Sequence, residues 1–455
     1  MTHDVIIVGA RCAGATLGTY LARAGVRTLM VEAMPAFSDN PMSTHFLQPP
    51  GMAILDELGI GDELRAVTPA APSLRFSVEG HAACITQPLA HAGCCPRRLT
   101  LDPLLQRAAI AAGAELRERT RVVDLVREGE RVTGVVVDGP SGRETLLAKL
   151  VVGADGRHST IARLTGVEEY LKVPMSRSAF WHYRTQPDLW RTDPRYTDFQ
   201  GHIDYLGTGI RAAFRCDNDT MVMVSLVPHA EAAQWKGDLM EKMVGYLSEC
   251  PVMPPLLAAS EPITRVRSLV KADFFYRRPV GPGFALVGDA GTFKDFATGM
   301  GIASAMVAAK QLSKAILDGS DAAFQRYWRE RDVESLPLYF DSLRLGEADV
   351  NDAFHKLLAE HLERSPALRQ RLAAVSARTL SPLDAFTTGE LLRMVIPAVL
   401  RGRFDVLPAF LKTGRKIAGY KREVAYRQKL LRDLETRLAA APACERAPVV
   451  ASQVQ

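Results

Sequence analysis

A strand, a glycine turn, a helix and a second strand follow one another in the first 32 residues of this 455-residue chain. The run DVIIVGA is continuously apolar and is closed by a glycine, as expected of a strand that is covered on both faces of a parallel sheet. AGATLGTYLARAG continues at helical spacing to Gly25, and VRTLMVE reads as a strand that ends in Glu32. The pattern predicts a βαβ unit, and therefore an α/β fold.

The turn of this unit, GARCAG, has the chemistry of a nucleotide site. Gly9 permits a sharp strand-to-helix turn and Gly14 lets the helix pack closely on the strand, so that the first amides of the helix face a pyrophosphate. Arg11 replaces the middle glycine of a GxGxxG motif, and its guanidinium can itself bind phosphate. Glu32 is placed to accept hydrogen bonds from a ribose diol, which favours the adenosine of NAD or FAD. The alternative is a helix cap and a surface glutamate.

Two later turns carry similar residues. GADGRHSTIAR places Asp155 at a strand end, although Asp-Gly is also a common turn dipeptide. GDAGTFKDFATGMG follows the buried run FALV and places Asp289 at a strand end, where a carboxylate can bind sugar hydroxyls. Its last residues, Gly299, Met300 and Gly301, begin a helix whose free amides can stabilise negative charge.

Composition excludes several classes of protein. Lys and Arg number 56 against 51 Asp and Glu, an excess too small to indicate nucleic acid binding. The seven cysteines form no CxxC pair and no metal-like Cys/His spacing, so we expect no metal and reduced thiols. The N-terminal segment has no basic region or cleavage site, and no apolar run is long enough to cross a bilayer. We therefore expect a soluble cytoplasmic protein without a transmembrane segment.

The three turns together resemble the p-hydroxybenzoate hydroxylase superfamily of FAD-dependent class A aromatic monooxygenases, which also includes flavin-dependent halogenases and geranylgeranyl reductases. The resemblance implies that Gly9 to Glu32 hold the adenosine end of FAD, and that Asp289 to Gly301 hold the ribityl chain and the isoalloxazine. Arg98, in PRRLTLD, matches a family arginine that reaches FAD. Asp155 would serve FAD and a transient NAD(P)H together.

The resulting prediction for the fold class is α/β, with a Rossmann-type FAD-binding domain that contains an inserted β-meander. A mainly antiparallel-sheet substrate domain and a helical C-terminal region complete it. The predicted boundaries are 1–175 for the first part of the FAD-binding domain, 176–278 for the substrate-binding β-sheet domain, 279–320 for the returning segment of the FAD-binding domain, 321–440 for the helical region and 441–455 for a loose tail.

The resemblance implies an NAD(P)H-dependent monooxygenase, an FAD-dependent oxidoreductase of secondary metabolism. It would use O2, through a flavin C4a-hydroperoxide, to hydroxylate or epoxidise an aromatic or polyketide-like small molecule. Thr292 and Phe296 stand where the family motif has histidine and proline, and the halogenase WxWxIP signature is missing. Two alternatives stay open: a reductase or dehydrogenase of the geranylgeranyl reductase type, and a natural-product cyclase with a structural FAD.

Candidates for catalysis are two histidines. His45 lies in a loop that borders the active site in this superfamily, and His182 lies on a strand of the substrate domain with Tyr183 and, further along, Tyr205. Either a histidine or a tyrosine of that domain could deprotonate the substrate.

The segment 412–437, with nine Lys or Arg against three acidic residues, could dock an anionic carrier protein, a coenzyme A thioester or a membrane surface, or be a solvated helix face.

Overall fold

A computed structural model describes residues 3–39, 46–87, 92–346 and 352–440. The elements of the first part are β1 His3–Val8, α1 Cys12–Arg23, β2 Thr28–Val31, α2 Pro49–Glu57, α3 Gly61–Val67, β3 Ala70–Ala71, β4 Ser73–Val78, β5 His81–Thr86, β6 Gly93–Cys94, α4 Arg98–Ala111, β7 Glu115–Arg117, β8 Arg121–Glu128, β9 Arg131–Gly139, β10 Gly142–Gly153 and α5 Thr160–Thr165.

Strands and helices also follow one another in the middle part of the chain, and the C-terminal part is helical. The middle elements are β11 Glu169–Pro174, β12 Arg177–Thr185, α6 Leu189–Thr192, α7 Pro194–Thr197, β13 Gly201–Leu206, β14 Gly209–Arg215, β15 Thr220–Pro228, α8 His229–Ala232, α9 Leu239–Ser248, α10 Met253–Ala258, β16 Arg267–Leu269, β17 Asp273–Arg277, β18 Val280–Gly281, β19 Phe284–Leu286 and β20 Thr292–Phe293. The C-terminal helices are α11 Gly301–Asp318, α12 Asp321–Gly346, α13 Ala353–Arg364, α14 Pro366–Ser376, α15 Thr388–Leu400 and α16 Val406–Ala440.

The first sheet is built on the N-terminal βαβ unit. Its strands have the order β18-β19-β10-β1-β2-β7, and β1 is parallel to both β2 and β10. Strand β1 is central and reads as pure apolar sequence because its residues from Val5 to Ile7 are fully buried between helix layers. The predicted α/β fold class with a helical C-terminal region is confirmed.

The β-meander shares its last strand with this sheet. Strand β10 pairs antiparallel with β9 over its first half and parallel with β1 and β19 over its second half. One continuous 12-residue strand does both.

The second sheet has seven strands in the order β16-β12-β15-β14-β13-β4-β5. Two of them, β4 and β5, come from residues 73–86, which the predicted boundaries assign to the FAD-binding part of the chain. They join this sheet because β4 pairs parallel with β13, from Leu74 beside Gly201 to Val78 beside Tyr205. The second sheet is therefore made from two distant segments of the chain.

The C-terminal helices cover one face and one end of this second sheet. Helices α13 and α14 pack beside β5, while α12 packs along α16. A small core that includes Phe354, Leu357, Met394, Val395 and Val406 holds α13, α15 and α16 together. No helix in the described ranges is both long enough and apolar enough to cross a bilayer.

Candidate functional site

A cavity of about 580 Å³ lies where the strands β1, β2 and β10 end. We call it the strand-end cavity. All three glycine turns line it, and Ala179 and Trp181 of the second sheet close one side. The carboxyl ends of parallel strands are the usual ligand site of such sheets, and the volume lies within the range of cofactor sites.

The β1–α1 turn forms a backbone cradle in which two glycines are obligatory. Gly9 has φ +98°, and a Cβ atom there would lie 2.5 Å from the carbonyl oxygen of Ala154. A Cβ atom on Gly14 would lie 1.8 Å from the carbonyl oxygen of Gly9. No side chain fits at either position, so the amides at the start of α1 stay open toward the cavity.

Glu32 organises this turn from the end of β2. Its carboxylate accepts hydrogen bonds from the backbone amides of Ala10 and Met34, each at 3.0 Å. The side chain is buried and lines the strand-end cavity. A ribose diol bound there would find the carboxylate already fixed in place.

Two arginines beside the cradle share one buried carboxylate that the sequence analysis did not identify. Asp102, fully buried, accepts hydrogen bonds from Arg11 at 2.9 Å and from Arg98 at 2.8 Å. Arg11 also donates to Ser38, so its guanidinium is held on the wall of the strand-end cavity. Arg11 Nε also lies 4.0 Å from the carboxylate of Glu32, so two carboxylates balance the two arginines beside the predicted pyrophosphate position.

Asp155 caps the next helix from the end of β10. One carboxylate oxygen accepts hydrogen bonds from the amides of Thr160 at 2.7 Å and Ile161 at 3.3 Å. The other oxygen, Oδ1, is buried without a hydrogen-bond partner in the described residues. Burial raises the pKa of this carboxyl group, although the hydrogen bonds oppose the shift. Asp155 also lines the strand-end cavity.

Asp289 follows β19 on a short 3₁₀ turn at Gly288–Ala290 and lines the same cavity. Its carboxylate has no hydrogen-bond donor among the described residues. Burial raises its pKa, while the nearby charges of Lys294 and Arg98 lower it. An unpartnered carboxylate at a strand end is suited to a hydroxyl-bearing ligand.

Lys294 is a second residue that the sequence analysis missed. It lies between the strand-end cavity and a polar void of about 20 Å³, which Asp289, Ser304 and Glu334 also line. Such a void holds about one water molecule. Burial lowers the pKa of Lys294 to about 8, with the charge of Arg378 acting in the same direction. The sequence motif did not reveal the surroundings of Lys294, because the neighbouring residues Ser304 and Glu334 come from α11 and α12.

Gly299, Met300 and Gly301 lie where the strand-end cavity meets a second cavity of about 590 Å³. Gly299 has φ +64° and lines both cavities, and Gly301 is the first residue of α11. The walls shared by the two cavities are Phe46, Phe296 and Gly299. The start of α11 therefore faces the junction.

The second cavity, which we call the apolar cavity, lies between the second sheet and the C-terminal helices. The sheet contributes residues such as Leu74, Ile203 and Phe214, and the helices contribute Leu358 and Ile417 among others. A few polar groups interrupt this lining. They include Tyr205 and Arg344. The cavity suits a bulky apolar ligand held by few polar contacts.

Two ionisable groups stand near the junction. Burial raises the pKa of Asp295 to about 7, although a hydrogen bond from the amide of Ala297 and the charge of Arg177 oppose the shift. Burial raises the pKa of Tyr205 to about 12, so its phenol stays protonated at neutral pH. Asp295 lines the strand-end cavity and Tyr205 lines the apolar cavity.

The structure argues against a catalytic role for His182. Its ring is fully buried on the side of β12 that packs against α9, with Nδ1 3.3 Å from the sulfur of Met243. Alternate residues of a strand face opposite sides, and on this strand Ala179 and Trp181 take the cavity side. Burial lowers the pKa of His182 to about 4. His45 lies outside the described residues.

Arg378 connects the C-terminal helices to the start of α11. It follows α14 with φ +59°, and its guanidinium donates to Ser304 at 2.9 Å, to the carbonyl oxygen of Met300 at 3.5 Å and to Glu334 at 2.5 Å. The side chain is buried, and burial lowers its pKa. The helices that cover the apolar cavity and the turn that lines the strand-end cavity are therefore bonded to each other.

Comparison with known proteins agrees with this geometry. Residues 2–331 match the family model described as "FAD binding domain". The chain belongs to this FAD-binding family. The resemblance predicted from the three turns is confirmed.

Relatives in this family include reductases and monooxygenases. Digeranylgeranylglycerophospholipid reductase of Thermoplasma acidophilum is 24% identical over 424 residues, which cover 90% of this chain and 98% of the reductase. 6-Methylpretetramide 4-monooxygenase of Streptomyces rimosus is 33% identical over 192 residues, which cover 40% of this chain and 46% of that enzyme. The structure of the flavin-dependent brominase Bmp2 has a TM-score of 0.72 at 17% identity, covering 88% of this chain and 100% of that one. That last likeness is one of fold.

The residues of the strand-end cavity fit FAD. The glycine cradle, with the open amides at the start of α1, suits a pyrophosphate, and the open carboxylate of Asp289 suits a sugar-like chain. The protein is an FAD-dependent oxidoreductase of this family.

The unusual pKa of Asp295 leads to a prediction for stability. An aspartate has a pKa near 3.8 when unfolded and Asp295 has one of about 7 when folded, so the folded state holds the extra proton between these values. Its contribution to the free energy of unfolding therefore falls as the pH rises from 3.8 to about 7. Asp295→Asn keeps an acceptor for the amide of Ala297 and removes the titration.

The measurement is urea unfolding of the apoprotein and of this variant at pH 5 and pH 8. We expect the variant to gain stability relative to the parent at the higher pH. An equal difference at both pH values would contradict the assignment.

Proposed function

We propose that this enzyme is a monooxygenase that takes electrons from NAD(P)H and inserts one atom of O2 into an aromatic or polyketide-like small molecule. The observation that carries the proposal is the junction at Phe46, Phe296 and Gly299, where an apolar cavity of about 590 Å³ opens beside the predicted flavin position. The similarity to a monooxygenase at 33% identity over 192 residues supports it.

Residues of the strand-end cavity would divide the binding of FAD among them. The amides of the Gly9 to Gly14 turn, with Arg11 and Arg98, would hold the pyrophosphate, and Glu32 the adenosine ribose. Bound FAD supplies the chemistry of hydride acceptance and oxygen activation.

The flavin end would rest on the returning segment. Asp289 would bind the ribityl hydroxyls, and the start of α11 at Gly299, Met300 and Gly301 would stabilise negative charge on the ring. Asp155 would bind near FAD and a visiting NAD(P)H.

Proton handling would fall to the residues at the junction. Asp295, with its pKa of about 7, matches the operating pH of a general base. Tyr205, with its pKa of about 12, would donate a hydrogen bond to the substrate. The apolar walls would exclude water from the reacting groups.

A reductase of the geranylgeranyl reductase type is the second candidate. The reductase relative matches this chain along 98% of its own length, and Phe296 stands where aromatic hydroxylases of the resembled family have proline. In that case the same cavity would hold an alkene, and no oxygen would enter the product.

The deciding experiment uses the purified holoprotein with NADH or NADPH, isotopically labelled dioxygen, and panels of polycyclic phenols and polyprenyl compounds. Uptake of one labelled oxygen atom per NAD(P)H into a product supports the monooxygenase. A saturated product without label supports the reductase. Failure of NAD(P)H to bleach the flavin with any compound would contradict both and favour a structural FAD.

The thiols fit a cytoplasmic setting, which we propose. The described cysteines are all free, and five of the six are buried. Free thiols persist in reducing compartments.

A further inference from the structure

Large apolar side chains cover the outer face of the helical hairpin formed by α15 and α16. Leu400, Phe404 and Ile396 are 82%, 71% and 53% exposed. We define the hairpin tip as the exposed apolar residues Leu392, Ile396, Leu400, Phe404, Leu407 and Leu411. The three on α15 are spaced by four residues, so they form one continuous ridge along that helix.

The exposed residues of the hairpin tip are not part of the protein core. The opposite faces of the same helices are already buried, with Met394, Val395 and Val406 packed against α13. A helix that buries one apolar face normally presents polar residues on the other. An apolar ridge of this size on a folded protein therefore marks a contact surface.

Positive charge surrounds the hairpin tip. Between residues 391 and 422 the chain has eight Lys or Arg and one acidic residue, Asp405. Arg393, Arg401, Arg415 and Arg422 are exposed and have no carboxylate partner in the described residues. An apolar ridge with a basic margin matches the interface of an anionic bilayer, with acyl chains below the phosphates.

The same hairpin is the outer wall of the apolar cavity. Leu391, Phe410 and Gly414 line that cavity, and each is a sequence neighbour of an exposed residue of the tip or its basic margin. The two helices therefore separate the cavity from the apolar surface by a single layer. A solute dissolved in a bilayer beneath the tip would need to cross only this layer.

A second copy of the chain suits this surface poorly. In a two-fold dimer the same patch meets itself, and here that would place the unpaired arginines of one hairpin against those of the other. Like charges at an interface cost binding energy. An anionic surface offers the opposite charge to all of them.

We propose that the α15–α16 hairpin docks on an anionic lipid surface by inserting Leu400 and Phe404 among the lipids. Apolar substrates would then pass from the bilayer into the apolar cavity between these two helices. The docking does not depend on whether the enzyme oxygenates or reduces its substrate, so its test can fail independently of the proposed function.

The test is flotation of the full-length holoprotein with vesicles of phosphatidylcholine, with and without phosphatidylglycerol, at low and high salt. We expect binding to the anionic vesicles that weakens with salt. Leu400→Glu combined with Phe404→Glu should lower the partition coefficient at least about tenfold, because each loses the burial of a large apolar side chain. Arg401→Gln with Arg415→Gln should lower it about fivefold per cation removed.

The control is Ile110→Glu with Leu317→Glu, which changes two apolar residues, each 42% exposed, on the distant helices α4 and α11. It should bind vesicles as the parent does, and FAD content and thermal unfolding verify that every variant is folded. Three results would overturn the proposal: no binding of the parent protein to either vesicle, equal loss in the control, or conversion of a dimer to a monomer by the tip variant in sedimentation.

Discussion

Replacing Gly14 by alanine is expected to yield a protein that purifies without FAD. The added Cβ atom would lie 1.8 Å from the carbonyl oxygen of Gly9, so α1 must move away from the turn that forms the cradle. Such a backbone displacement costs more than about 3 kcal/mol, and we expect FAD affinity to fall at least about a hundredfold. Titration of the apoprotein with FAD and urea unfolding measure the two effects.

Gly245 provides the matched control for this substitution. It lies within helix α9, and a Cβ atom there would meet nothing within 4 Å. Gly245→Ala should therefore raise stability by about 0.5 to 1 kcal/mol, the helical preference for alanine, with FAD affinity unchanged. A Gly14→Ala protein that retains full FAD content would contradict the proposed cradle.

Asp289→Asn is expected to change the stability of the apoprotein and of the holoprotein in opposite directions. Burial raises the pKa of Asp289 above its ordinary 3.8, so its contribution to the free energy of unfolding falls as the pH rises past that value. At pH 8 the apoprotein should gain stability when the charge is removed. The holoprotein should lose stability, because weaker FAD binding reduces the stabilisation by ligand.

Thermal unfolding of the two forms, with an FAD titration, measures this pair of effects. We expect the dissociation constant for FAD to rise by at least about tenfold, the loss of one charge-assisted hydrogen bond. Asp204→Asn, on β13, serves as the comparison, because Asp204 is a buried carboxylate whose pKa is also raised by burial and it lines neither cavity. A parallel loss in apoprotein and holoprotein would indicate that Asp289 only supports the fold.

The fold was predictable where local pattern and tertiary structure agree. The βαβ unit could be predicted because β1 is buried on both faces and therefore has a continuously apolar sequence. The turn glycines could be predicted because no other residue fits at their positions. The hairpin between β14 and β15 was likewise predictable from Asp217-Asn218-Asp219. Asn218 and Asp219 have φ of +52° and +51°, which few other residue types adopt readily.

The face occupied by His182 was not predictable. Eight of the nine residues of β12 are buried, from Arg177 onward, because helices cover one side of the sheet and the cavities lie on the other. The usual alternation of polar and apolar residues, which would reveal the inward face, is absent from such a strand.

Residues that meet across long separations were also beyond the sequence. Asp102 contacts Arg11 across 91 positions, and Arg378 contacts Ser304 across 74. The pairing of β4 with β13 depends in the same way on how the two sheets are assembled. Motif spacing reports the local turn and carries no information about which distant side chain completes it.

The hydrogen bonds of Arg378 couple ligand binding in the strand-end cavity to ligand binding in the apolar cavity. Its guanidinium holds Met300 and Ser304 at the start of α11 and Glu334 on α12, while its backbone continues from α14 over the apolar cavity. A molecule that displaces those covering helices would therefore also displace the start of α11, where we propose that the flavin ring binds. By linkage, the factor by which a substrate changes the affinity for FAD equals the factor by which FAD changes the affinity for that substrate.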